Sequence, residues 1–219
     1  MSYFRELPNL EYQSFLTDSN SSENYLTVKN LFRRCKIRDD LKSVFTIFNK
    51  YQIEDGSRPD TVAEELYGSP DLDWVVLMSA GIVNVRDEWP LSNYDLYKYA
   101  ENIHKTNLLS TRFYETVEIK DSQNRLILPA GKVVDENFEI RYLDNDFYEH
   151  KTGTKVRTGV SNLEYEIRKN DQKRTIFVLN PEYLQQFLLD MKKEMTYSKS
   201  SQYVSKDIVR TENTRNTLL

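Results

Sequence analysis

The sequence predicts an α+β protein with a βααβ unit, a small antiparallel sheet and a long C-terminal amphipathic helix. Three observations carry that prediction. The run Ser57–Met78 holds two short apolar stripes at helical spacing, joined by a Gly-Ser-Pro corner. Residues 111–179 switch to strand-like alternation broken by turn residues, and Asn180-Pro181 then opens a second helical stripe.

Residues 1–25 are polar and irregular, ending in the cluster Thr17-Asp18-Ser19-Asn20-Ser21-Ser22. Residues 27–42 read as a short helix with Val28, Leu31, Phe32 and Cys35 on its apolar face. Val44 to Ile53 alternates, with Phe45, Ile47, Tyr51 and Ile53 opposite Lys50 and Gln52, as a half-buried strand does. Val62/Leu66 and Ala63/Tyr67 then mark one helix, and Leu72, Val75, Val76 and Ser79 a second. Thr61 with Glu64 fits a capping box, and Gly68 suits the left-handed position after a helix. Ser69-Pro70 suits an N-cap followed by proline at N1, and Gly81 closes the second helix. Ile82-Val83-Asn84-Val85 is the expected second strand, completing the βααβ order.

Asp95 to Lys105 reads as a third helix with Leu96, Tyr99, Ala100 and Ile103 on one stripe. Strands are expected at 114–119, 125–128, 138–142, 163–167 and 175–179, with turns at Asp121–Asn124, Ala130-Gly131 and Lys151–Gly153. Asn180 as N-cap and Pro181 at N1 start the C-terminal helix, whose stripe is Leu184, Phe187, Leu188, Met191 and Met195. The tail from Ser198 is polar and cannot by itself bury enough area to offset its ordering entropy, so it is expected to dock elsewhere. The chain therefore divides into an N-terminal arm with a short helix (1–42) and the βααβ unit with its following helix (43–108). The strands with the long helix (109–197) and a polar C-terminal arm (198–219) follow.

Tyr67-Gly68-Ser69-Pro70-x-Leu72-x-Trp74-Val75-Val76-Leu77-Met78 follows Ser57-Arg58-Pro59 and precedes Glu88-Trp89-Pro90-Leu91-Ser92. These residues resemble the baseplate wedge subunit family called gene product fifty-three, of T-even-type contractile-tailed bacteriophages. The resemblance is tight over 43–104 and looser over 26–38 and 174–196; it does not extend over 110–172 or the last two dozen residues. It implies a structural role in the virion, at the tail baseplate, with assembly in the host cytoplasm. The implied partners are wedge proteins of the gene product six, seven and twenty-five types, and hub proteins. The βααβ order is in turn similar to the lysin-motif fold. That likeness implies a second function, binding of peptidoglycan or N-acetylglucosamine polymers between the loops Glu54–Asp60 and Ser79–Ile82.

Bulk composition leaves the interface reading open. The 219 residues include 15 Tyr and 10 Phe, and Tyr either edges sheets or enriches interfaces. A net charge of -4 argues against sequence-independent nucleic-acid binding. The local cations Lys29, Arg33, Arg34, Lys36, Arg38 and Lys42 read as a solvated helix face rather than a phosphate patch. One cysteine excludes an internal disulfide, the first 25 residues lack a signal-peptide core, and no apolar run reaches membrane-spanning length.

Catalytic constellations are not found. His104 and His150 have no ligand-spaced neighbours, so no metal or cofactor is expected, and His104 late in its helix reads as solvated or capping. No phosphate-cradling glycine pattern or nucleophile elbow is present, and no enzyme is expected. Cys35 has Arg34 and Lys36 beside it to lower its pKa, but its expected helix register favours a buried structural thiol. The candidate interface residues are Tyr67, Pro70, Trp89, Pro90, Tyr203, Ile208 and Val209. Trp74 reads as core; Trp89 is open between core and partner anchor.

Overall fold

The computed structural model describes residues 3–13, 25–37, 46–121, 123–143, 149–152 and 156–211. Helix α1 (Tyr3–Glu6) leads into strands β1 (Asn9–Gln13) and β2 (Tyr25–Lys29). Strand β3 (Phe48–Gln52) precedes helices α2 (Pro59–Tyr67), α3 (Asp73–Ala80), α4 (Val85–Glu88) and α5 (Asn93–His104). Next come β4 (Thr111–Thr116), β5 (Ile119–Lys120), β6 (Leu126–Leu128), β7 (Val133–Val134), β8 (Ile140–Leu143), β9 (Glu149–Thr152) and β10 (Arg157–Ser161). Helix α6 (Asn162–Arg174), strand β11 (Thr175–Leu179), helix α7 (Leu184–Met195) and strands β12 (Tyr203–Ser205) and β13 (Ile208–Arg210) follow. The class is mixed α+β.

Contacts gather these elements into two units. The first draws on Met1–Ile53, Ser57–Trp89 and Thr175–Leu219. Its centre is the antiparallel pair β3–β11, which matches Phe48 with Leu179 and Gln52 with Thr175. Ile176 and Val178 of β11 are buried while Phe177 is exposed, the alternation of a strand with one covered face. Helix α2 begins at Pro59, two residues before the expected capping box, because proline at N1 already has the helical φ and lacks only an N–H that would go unbonded. It ends at Gly68, whose φ of 68° and N–H bond to Glu64 O need a residue without Cβ. Leu72, Val75, Val76 and Ser79 around α3 are buried as their spacing predicts, and Trp74 joins them.

Three expectations fail in this unit. Ile82–Val85 forms no strand: the Glu88 carboxylate accepts the N–H groups of Val83 (2.7 Å) and Asn84 (3.1 Å), and α4 starts there instead. The strand that pairs with β3 is β11, more than 120 residues downstream of it, so no contiguous βααβ unit forms over 44–85. Residues 27–37 form no helix either. Residues 25–29 pair with β1, and the Asn30 side-chain oxygen caps the N–H of Phe32 at 3.1 Å, a local turn that competes with helix. Leu31 and Phe32, expected inside, are exposed. Residues 38–42, Val44 and Phe45, included in the expected helix and strand, lie outside the described residues, as does the polar segment 14–24.

Residues 203–210 of the tail dock on their own chain; residues 212–219 lie outside the described residues. Strands β12 and β13 form a hairpin, and β13 adds in parallel to β1, giving the sheet order β12-β13-β1-β2. Ahead of α7, Asn180 Oδ1 accepts the Glu182 N–H (3.2 Å), and Pro181 opens a 3-10 turn, so the α-helix begins at Leu184. Leu184, Met191 and Met195 are buried, and Phe187 and Leu188 half-buried against the same core. Arg33 donates to the carbonyls of Glu194 (2.8 Å) and Thr196 (3.0 Å), where a cation complements the helix C-terminus.

The second unit comprises Glu54–Gly56 and Pro90–Arg174. Its sheet runs β10-β4-β7, with β5–β6 and β8–β9 as separate antiparallel pairs. Residues 163–167 are helical, not a strand. The Leu163/Tyr165/Ile167 alternation is real, but the Ser161 hydroxyl accepts the Glu164 N–H (3.2 Å) and helix-favouring residues continue to Arg174. Helix α5 forms as expected, capped by Ser92, yet only Leu96 and Ala100 of its stripe are buried; Tyr99 and Ile103 face outward.

Candidate interaction surfaces

The seven residues selected from the sequence fall into three settings. In the first unit, Tyr67 is half-buried and its hydroxyl donates to Leu179 O at 2.8 Å, tying α2 to the end of β11; burial pushes its pKa up. Pro70 is exposed at the start of the turn into α3. Trp89 is buried and its indole N–H donates to Ser57 O at 2.8 Å, closing the loop ahead of α2. Pro90 is buried within the second unit. Tyr203, Ile208 and Val209 are half-buried in the tail hairpin.

That hairpin completes a sheet with two unlike faces. Directly paired residues share a face, so Leu10 lies with Val28 and Val209, Tyr12 with Leu26, and Tyr203 with Val209. Every one of these six is apolar or aromatic, and none is fully buried. The opposite face carries Glu11, Tyr25 and Arg210: the Arg210 guanidinium meets Glu11 Oε2 at 2.7 Å and sits over the Tyr25 ring at 4.7 Å. Polar residues close one face internally; the apolar face is left half-open. Sequence reading missed this surface because strands β1 and β2 are too short, and too far from β13 in sequence, to signal one another.

Two polar brackets organise the second unit. Arg174 Nη2 donates to Asp55 Oδ1 (2.7 Å) and Asn93 Oδ1 (3.1 Å), and the Asn93 N–H donates to the same Asp55 oxygen (3.0 Å). The Arg174 hydrogen bond, with the Asn93 N–H, holds the Asp55 carboxyl below the usual carboxylate range. A carboxylate whose pKa is lower folded than unfolded adds stability above its unfolded value, near 3.9, and that contribution is lost as pH falls through the folded value. Asp55→Asn is therefore expected to flatten the drop in melting temperature between about pH 5 and pH 3; identical pH profiles for the two proteins would refute the linkage.

His104, expected to be solvated or capping, instead meets Glu166 at 3.2 Å between α5 and α6, both side chains largely covered. Asn170, one turn further along α6, is buried and brackets Leu91: its amide accepts the Leu91 N–H (2.8 Å) and donates to the Leu91 carbonyl (2.9 Å). These are structural pairings within one unit.

The glycan reading loses its ligands. Asp55 is engaged by Arg174 and Ser57 O by Trp89, and Ile82–Val85, the expected second strand of the lysin-motif-like order, forms no strand. Cys35 is half-buried, and burial, reinforced by the Glu194 charge, pushes its thiol pKa up, opposite to nucleophile activation. Cys35, Arg34 and Lys36 line a hollow of about 470 Å³ together with Trp74, Leu77 and Met78, and no carboxylate or histidine is among its described lining residues. Among the described residues no cluster of His, Cys, Asp and Glu is placed to hold a metal ion, and no helix is long and apolar enough to cross a membrane.

No curated protein matches this chain. The sequence model of the family described as Base plate wedge protein 53 matches residues 4–193. The match takes in the stretch 110–172, which the Tyr67–Met78 motif and its flanks left uncovered, and so spans both units. On that match the chain belongs to the base plate wedge protein 53 family.

Proposed function

We propose that this chain is a joint of the phage baseplate wedge, a structural part that binds wedge proteins side by side and helps close them into a six-fold ring around the hub, beneath the contractile sheath. The family match over residues 4–193 carries this reading. Its partners are wedge proteins of the gene product six, seven and twenty-five types, with hub proteins as further neighbours, and assembly takes place in the host cytoplasm. No cofactor or catalysis enters this role. The exposed tyrosines of α5 support it, because Tyr94, Tyr97 and Tyr99 present large stiff rings with polar tips to the outside. Pro70 and the outer edges of Tyr67, Tyr203, Ile208 and Val209 serve as contact points. Trp89 acts from beneath, by holding the Ser57 end of the loop ahead of α2 in place, and Pro90 by its burial in the second unit. Permanent complexes of this kind bury on the order of 2,000 Å² or more.

Co-expression with the wedge proteins of the same phage genome, followed by size-exclusion chromatography, tests the reading. Stable co-elution with at least one of them is expected. A chain that elutes alone beside every wedge protein overturns it.

A further inference from the structure

We propose that β2 and the segment following it, residues 25–36, form a docking strip for an acidic, extended segment of another baseplate protein, which adds to the sheet beside β2. The inference rests on the assembly reading above and names a surface for it.

Backbone geometry shows which groups are available. Asn9 N–H bonds Asp207 O (2.8 Å) and Thr211 N–H bonds Glu11 O (2.9 Å), so Asn9 and Glu11 direct their backbone groups toward β13. Leu10 and Tyr12 must then face β2, consistent with the Asn30 N–H bond to Pro8 O (2.9 Å). Peptide groups alternate in direction along a strand. Leu26 and Val28 therefore bond β1, while Tyr25, Thr27 and Lys29 direct N–H and C=O to the outer edge, where no described strand pairs with them. An edge of this kind accepts an added strand.

Side chains specify the occupant. Leu26 and Val28 are 43% and 44% exposed on the apolar face of the sheet, and Leu31 and Phe32, in the turn that follows, are 65% and 94% exposed. Exposed apolar residues gathered in one short segment mark interaction sites. Residues 25–37 also contain four cations, Lys29, Arg33, Arg34 and Lys36, and no acidic residue, within a chain whose net charge is -4. Lys29 and Arg33 are held by main-chain carbonyls, which accept their hydrogen bonds without cancelling their charge. Charge complementarity across an interface therefore calls for an acidic partner.

The test uses the full chain and each purified wedge protein of the same genome as probe. Thr27→Pro removes an outward N–H, leaves the β1 ladder intact and is tolerated at a sheet edge. Arg34→Glu reverses an exposed charge without touching the strand. Each is expected to weaken binding to one wedge protein at least tenfold, with the melting temperature unchanged for R34E. A photo-crosslinking residue at position 27 should capture an acidic, strand-forming segment of that same protein. Undiminished binding by both variants overturns the docking strip and leaves the assembly reading standing. So does a crosslink to this chain's own residues or to a second copy. Failure of the wild-type chain to bind any wedge protein defeats the assembly reading itself.

Discussion

Replacing Trp74 by alanine is expected to cost about 3–5 kcal/mol, the usual range for removing a buried large aromatic. The ring is covered in the first unit, stacked on Phe187 of α7 with centroids 6.0 Å apart and tilted against Tyr3 at 5.6 Å. It thus joins α3 to the N-terminal helix and to α7, the latter more than 100 residues further along the chain. Domains are stable by only about 5–15 kcal/mol, so a loss of this size removes a large share of the first unit's stability. Trp74→Phe keeps most of the apolar area and should cost far less. Urea unfolding of the two variants checks the pair. Equal midpoints for W74A and wild type would mean that the stacking contributes nothing.

Asn170→Ala is expected to destabilise the second unit by about 2–3 kcal/mol, since two hydrogen bonds are lost and their backbone partners are stranded. Asn170 is buried and holds both the N–H and the carbonyl of Leu91, the residue next to the buried Pro90. Asp makes a useful contrast: its carboxylate accepts from the Leu91 N–H as the amide does, but when ionised offers no donor to the carbonyl and faces it with like charge. Hydrogen exchange at residues 90–100 reports the effect locally. Protection unchanged in N170A would show that the bracket does not hold the start of α5.

Local signals were readable from sequence where one segment decides its own conformation. Gly68 and Gly81 mark helix ends through φ alone, and α2, α3, α5 and α7 form where apolar spacing puts them, although α2 starts two residues before the expected capping box and α7 three residues after Pro181. Segments with two compatible periodicities misled. Leu163, Tyr165 and Ile167 alternate like a strand but belong to α6, where a serine cap and a long helix-favouring continuation decide. Val28 and Phe32 sit four apart as in a helix, but the ladder to β1 and the Asn30 turn outweigh that spacing.

By itself the sequence determined the mixed α+β class, the punctuation of the helices and, through the Tyr67–Met78 motif, the baseplate wedge family. These depend on backbone torsions, short-range periodicity and a run of residue identities, all contained within a few turns of chain. Tertiary structure alone decided that β3 pairs with β11, that the tail closes on β1, and that Arg174 claims Asp55. Each joins segments separated by more than 110 residues, and such pairings depend on which apolar faces and unpaired strand edges meet once the chain is compact. No local propensity encodes that choice. The apolar sheet face is likewise a tertiary product: Val209 and Tyr203 share it with Leu10 and Val28 only after the C-terminal hairpin has added to β1.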